Sequence, residues 1–173
     1  NYSVFPKIIL SDMKNMRFLT INNGPLNSLP NNFKDHELTK INKIELNHNN
    51  IDAIPEKFLG GLKVTKLTLA SNRLSYLPGS VWGHVHLVYV DLSNNNISEM
   101  HINIEKAKTL QSLILSNNTL TTLPKQIGNT NIIWLILNEN NFNAIPRVVL
   151  DLHDTLYALR FGHQNISYLP ENI

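Results

Sequence analysis

Residues 113–124 read LILSNNTLTTLP. Leu113, Leu115, Leu120 and Leu123 are too unevenly spaced for a helical stripe. One long strand does not fit either, because the apolar alternation stops at Asn117 and Asn118. A segment of this kind needs a short strand, a sharp turn and a return path that ends at a proline.

The prolines show that this unit recurs, and internal periodicity is the first thing to settle in a sequence. Seven of the eight follow a large apolar residue: Phe5-Pro6, Leu29-Pro30, Ile54-Pro55, Leu77-Pro78, Leu123-Pro124, Ile145-Pro146 and Leu169-Pro170. Their spacings are 24, 25, 23, 46, 22 and 24 residues. The interval of 46 is two periods, with Met100-His101 where the missing proline would stand.

Aligned on this comb, the units begin at Met16, Ile41, Val64, Leu87, Leu110, Ile132 and Leu156, taken as position 1. Position 4 holds Leu19, Ile44, Leu67, Val90, Leu113, Leu135 and Leu159; position 6 holds Ile21, Leu46, Leu69, Leu92, Leu115, Leu137 and Phe161. Position 9 is Asn in the five middle units: Asn49, Asn72, Asn95, Asn118 and Asn140. Positions 11, 14 and 18 are again apolar, as at Leu120, Leu123 and Ile127.

LQSLILSNNTL and LVYVDLSNNNI match LxxLxLxxNxL position by position, and the pattern runs through the whole chain. The sequence therefore resembles the leucine-rich repeat family. The Leu-Pro step followed by an apolar residue is similar to its subtype of roughly 23 residues, LxxLxLxxNxLxxLPxxh. That subtype occurs in intracellular scaffold and signalling arrays and in some receptor ectodomains. The resemblance implies an α/β solenoid, a right-handed horseshoe segment. Short parallel strands would form the concave face, and irregular or short helical segments the convex one.

Each column has a physical reason. Positions 3 to 7 alternate, so positions 4 and 6 point inward from a short strand. The turn after position 7 buries backbone groups that need partners. A carboxamide both donates and accepts, which accounts for Asn at position 9 as a ladder through the stack. Proline fixes φ and needs no N–H partner where the return path starts. Gly24 and Gln164 replace Asn at position 9 in the end units, so the ladder is expected to weaken there, by drift of end units or at a local bend.

Residues 1–173 read as one array of about seven full repeats and a partial N-terminal one, in which Tyr2, Phe5 and Ile9 keep the pattern. The chain starts and stops within a repeat, at Ile173, without polar caps. The expectation is a segment of a longer protein, or ends covered by neighbouring repeats or subunits.

Charged residues are only 16%, and the net charge of +2 gives no argument for nucleic acid. No apolar run of membrane-spanning length occurs, so this segment is not expected to insert in a bilayer. The chain has no cysteine, which excludes disulfides and thiolate chemistry.

Function then falls to outward residues of the strands. Position 3 reads Phe18, Lys43, Lys66, Tyr89, Ser112, Trp134, Ala158, and position 5 reads Thr20, Glu45, Thr68, Asp91, Ile114, Ile136, Arg160. Tyr89, Ile114, Trp134 and Ile136 form an apolar group that the core does not require, flanked by Asp91, Glu139 and Arg160. These seven residues are the expected partner-binding surface, for a protein or peptide. The competing reading is cross-strand pairing for sheet stability alone.

An enzyme is not expected, nor a cofactor or metal. His84 and His86 in GHVH lack a third ligand, DHE at 35–37 reads as a solvated loop, and Lys106 and Lys108 as a solvated face. No phosphate loop, GxSxG or HExxH occurs. Sequons lie at Asn1, Asn96, Asn117 and Asn165, near the number that 26 Asn and 21 Ser plus Thr give by chance. Three of them occupy position 10, which with the low charge leans toward an extracellular or cell-surface glycoprotein; absent cysteine-rich caps lean the other way. Two readings remain: an interaction module in a receptor ectodomain or adaptor, or a structural or adhesive repeat packed in a larger assembly. Ligand and compartment are not legible at this stage.

Overall fold

The computed structural model describes residue 5, residues 13–33, residues 38–164 and residue 166. Among these residues seven strands of three residues each form one parallel sheet in sequential order. They are β1 (Phe18–Thr20), β2 (Lys43–Glu45), β3 (Lys66–Thr68), β4 (Tyr89–Asp91), β5 (Ser112–Ile114), β6 (Trp134–Ile136) and β7 (Ala158–Arg160). The register aligns like positions, so that Ile44, Leu67, Val90 and Leu113 lie in one row. Backbone bonds carry the pairing past the strands, as from Leu69 N to Asp91 O at 2.8 Å and from Ser71 N to Ser93 O at 2.8 Å.

No coil can close its own apolar edge, so the core is one column running through the stack. Ile44, Leu46, Leu67, Leu69, Val90, Leu92, Leu113, Leu115, Leu135 and Leu137 are all fully buried. Each such side chain contributes about 1.5–3 kcal/mol relative to an exposed one. The last coil is looser: Leu159 and Phe161 are only partly buried, with Phe161 tilted on Phe142 at 5.1 Å between ring centroids.

The turn after each strand is set by one residue in the left-handed region. Asn23, His48, Ser71, Asn94, Asn117, Glu139 and His163, all at position 8, have φ between 52° and 57°. This conformation is tolerated best by Asn among side-chain-bearing residues. The paired Asn of SNN therefore has two separate causes, a left-handed residue followed by a bridging amide.

That second Asn joins coils as expected. Asn72 Oδ1 accepts the N–H of Ile51 at 3.0 Å, while its Nδ2 donates to Leu46 O at 2.9 Å and Leu69 O at 3.0 Å. Asn49, Asn95, Asn118 and Asn140 repeat the arrangement. The weakening expected at Gln164 does not occur in its links to the preceding coil. Its longer side chain still accepts from Phe142 N at 3.2 Å and donates to Leu137 O at 2.6 Å. At Gly24 the amide is absent, and a Cβ there would lie 3.1 Å from Asn49 Oδ1.

The convex returns hold short helical pieces: α1 (Gly79–Trp82) and 3-10 turns at Ile102–Lys106, Lys125–Asn129 and Arg147–Leu152. Pro78, Pro124 and Pro146 stand just before three of them, with φ of −64°, −67° and −61°. His101 replaces the missing proline with φ −69°, and its Nδ1 accepts the N–H of Asn103 at 3.0 Å. Gly79 on the preceding coil makes room for this cap: a Cβ there would lie 2.5 Å from Asn103 Nδ2 and 2.8 Å from His101 Cε1. Inside the early coils, Phe5, Phe33 and Phe58 stack in a row at 5.4 and 5.2 Å.

Candidate functional site

The outward residues of the sheet divide into a polar half and an apolar half. In the polar half, Lys43 Nζ and Lys66 Nζ reach the same oxygen of Glu45, at 2.9 and 3.2 Å. Lys43 foremost, with Lys66, holds the Glu45 carboxyl below its ordinary value against the opposing effect of burial. Lys66 also stands 5.1 Å from the Tyr89 ring centroid, a cation–π contact. Burial pushes the Tyr89 phenol up, and Asp91 and Glu45 add to that. Thr68 was expected to face solvent. Instead it is only 5% exposed, and its hydroxyl has no hydrogen-bond partner. An unpaired buried hydroxyl costs about 1–3 kcal/mol.

In the apolar half, the register sets Ile114 directly beside Ile136, and Ser112 beside Trp134. Trp134 is 41% exposed. Its ring lies 5.3 Å from that of Tyr157, tilted by 54°. Tyr157 is 78% exposed and occupies position 2, just outside the columns read as outward-facing. The signal for it was the small Ala158 opposite Trp134, which leaves space beside the indole for the residue before it.

The expected binding residues are thus not one cluster. Ile114, Ile136 and Trp134 come together with Tyr157. Ser112 separates Tyr89 from Trp134, and Tyr89 joins the lysine cluster instead. Asp91 bonds within its own coil, its Oδ1 accepting from Ser93 N at 3.0 Å and Ser93 Oγ at 2.7 Å. Arg160 is exposed on β7 beside Ile136, and Glu139 is exposed on a left-handed turn, not on a strand.

Other sequence candidates fall elsewhere. His84 is half-buried, and its Nε2 is shut from solvent without a partner. Its ring packs on exposed His86 at 5.8 Å. Among the described residues no group of three or more His, Cys, Asp or Glu is placed to hold a metal ion. Lys106 and Lys108 are exposed, and Lys108 Nζ donates to Asn129 O at 2.6 Å. Asn96 is exposed; Asn117 is also exposed but donates to Asn94 Oδ1 at 2.8 Å. Asn1, Asn165, residues 35–37, Tyr2, Ile9 and Ile173 lie outside the described residues. No helix among the described residues is long and apolar enough to cross a membrane.

Comparison with known proteins agrees with this geometry. Models of the leucine rich repeat match residues 39–97 and 109–130. The chain belongs to the leucine-rich repeat family. No curated protein matches it by sequence. Among solved structures, a leucine-rich repeat protein of Leptospira interrogans superposes with a TM-score of 0.72 at 26% identity, over 96% of this chain and 48% of that one. The plant peptide hormone receptor RGFR1, in complex with RGF2, gives 0.74 at 26% identity, over 94% of this chain and 27% of that one. The receptor kinase HAESA ectodomain of Arabidopsis, in complex with a peptide hormone, gives 0.75 at 23% identity over 92% and 28%, a likeness of fold. The chain thus spans about half or less of the length of these structures. Fold and family are those of protein-interaction modules, which are typically non-enzymatic.

Proposed function

We propose that this chain binds a protein or peptide partner on its concave face, as a single array within a receptor ectodomain or adaptor, and that it carries out no catalysis. The observation that carries this is the Trp134–Tyr157 pair, exposed on one edge of the sheet and continuous with Ile114 and Ile136. Core packing does not require these side chains where they are. Large aromatics with an apolar body and a polar tip are favoured interface anchors. The peptide-hormone complex of the plant receptor RGFR1 supports a peptide as the class of partner.

Peptides selected from a displayed library on the intact chain test this. Their affinity for the W134A/Y157A variant should fall by about tenfold or more. Unchanged affinity in a folded variant would overturn the reading. A second reading, lateral packing in an assembly, draws on the convex side, where exposed Tyr76 and Ile102 flank a groove with Leu77 and Met100. Concentration-dependent sedimentation of the wild-type chain, abolished by I102E, would favour it.

A further inference from the structure

The polar half of the sheet's outward face carries a charged cluster of different chemistry. Lys43 and Lys66 are register neighbours on β2 and β3, and both pair with Glu45. Two ammonium groups thus meet on one carboxylate. Their side chains are 35% and 38% exposed against 19% for Glu45, so an approaching group meets N–H donors first. An ammonium has three donors, of which Glu45 takes one from each lysine. Thr68 lies next in the same row as Glu45, with its hydroxyl lacking any partner. On its other side Asp91 accepts two bonds from Ser93 and keeps its negative charge.

We propose, resting on the concave-face reading, that the ligand is an extended peptide held at two points. A carboxylate docks on Lys43, Lys66 and Thr68, and an aromatic or large aliphatic side chain docks on Trp134 and Tyr157. From β2–β3 to β6 is three to four strand steps of about 4.8 Å, and an extended chain advances about 3.3 Å per residue. The two anchors on the ligand are therefore about four to six residues apart. A single carboxylate matches the site better than a polyphosphate. Its single charge meets the two ammonium groups, whereas a multiply charged anion would be repelled more strongly by Glu45 and Asp91. Access to the Thr68 hydroxyl requires displacement of the side chains that close over it.

A synthetic library of heptapeptides, made as free acids and as C-terminal amides, is passed over the immobilised chain. Retained peptides should carry a carboxylate at the stated distance from Trp, Tyr, Phe, Leu or Ile. Retention of both forms assigns the carboxylate to Asp or Glu, and retention of free acids alone assigns it to the C-terminus. K43Q/K66Q should weaken these peptides by about tenfold. Salt raised from about 0.05 to about 0.5 M should weaken binding to the wild type, a readout that does not depend on a variant folding. T68V should bind severalfold more weakly while melting no lower than wild type, which a merely structural hydroxyl would not do. Peptides that depend on Trp134 but show no carboxylate enrichment and no salt dependence would overturn this inference and leave the concave-face reading standing. A library without any Trp134-dependent peptide would overturn both.

Discussion

Asn95 ties the backbone of two adjacent coils to one side chain through its relation to Leu74. Its Oδ1 accepts the Leu74 N–H at 3.0 Å, and the same carboxamide donates to Leu69 O of the preceding coil and to Leu92 O of its own. All of these groups are buried, so no water replaces them. Asn95→Ala should lower stability by about 3 kcal/mol or more, the sum of several unpaired buried groups. Asn95→Asp should cost a similar amount, because a carboxylate would face three carbonyl oxygens, those of Leu69, Leu92 and Ser93. Chemical denaturation measures both; a loss under about 1 kcal/mol would mean the ladder is not structural.

The left-handed turn makes an opposite prediction for Glu139. With φ at 55°, this residue holds a conformation for which Glu is poorly suited and Asn well suited. Glu139→Asn should raise stability by about 0.5–1 kcal/mol. A melt that falls instead would show that the carboxylate has a stabilising partner. Should peptide affinity also fall, Glu139 would belong to the binding face.

His101 can be separated from the proline that it replaces. His101→Ala removes the cap on Asn103 and should cost about 1 kcal/mol. His101→Pro loses the same bond, but its fixed φ matches the −69° already present. The proline variant should therefore be more stable than the alanine variant. The reverse order in thermal melts would mean that the His101 backbone N–H has a role of its own.

Acid should act on the convex side through His84. Burial holds this imidazole below its ordinary value of 6.5; His86 adds like-charge repulsion, and the polar backbone of Val64 opposes both. The unfolded chain therefore takes up the proton first. Stability is full above the unfolded value and is lost as pH falls through it toward the folded value. Between pH of about 7.5 and about 5, the melting temperature should decline, and His84→Gln should flatten the decline. Glu45 acts in a different range: its depressed carboxyl stabilises above its unfolded value of 4.5, and that contribution is lost only as pH falls below it.

The repeat itself was legible because each coil imposes the same local demands on its sequence. Inward leucines at positions 4 and 6, Asn at position 9 and proline at position 15 all answer to backbone geometry within a coil and its neighbour. The sequence also located the one irregular return, at Met100-His101, though not the ring that caps it. The binding surface was less legible. Reading columns placed Tyr89, Asp91 and Trp134 on one face, but which partners these side chains choose is a matter of lateral neighbours. Tyr89 goes to Lys66, Asp91 to Ser93, and Trp134 to Tyr157.

By itself the sequence determined the solenoid, its register and its buried spine, because periodic burial and obligatory backbone pairing leave no other way to close such coils. Only the tertiary structure decided that position 8 is left-handed throughout, that Thr68 is sealed without a partner, and that Tyr157 joins Trp134. Those facts depend on distances between side chains from different coils, which a repeat pattern brings near one another without fixing how they meet.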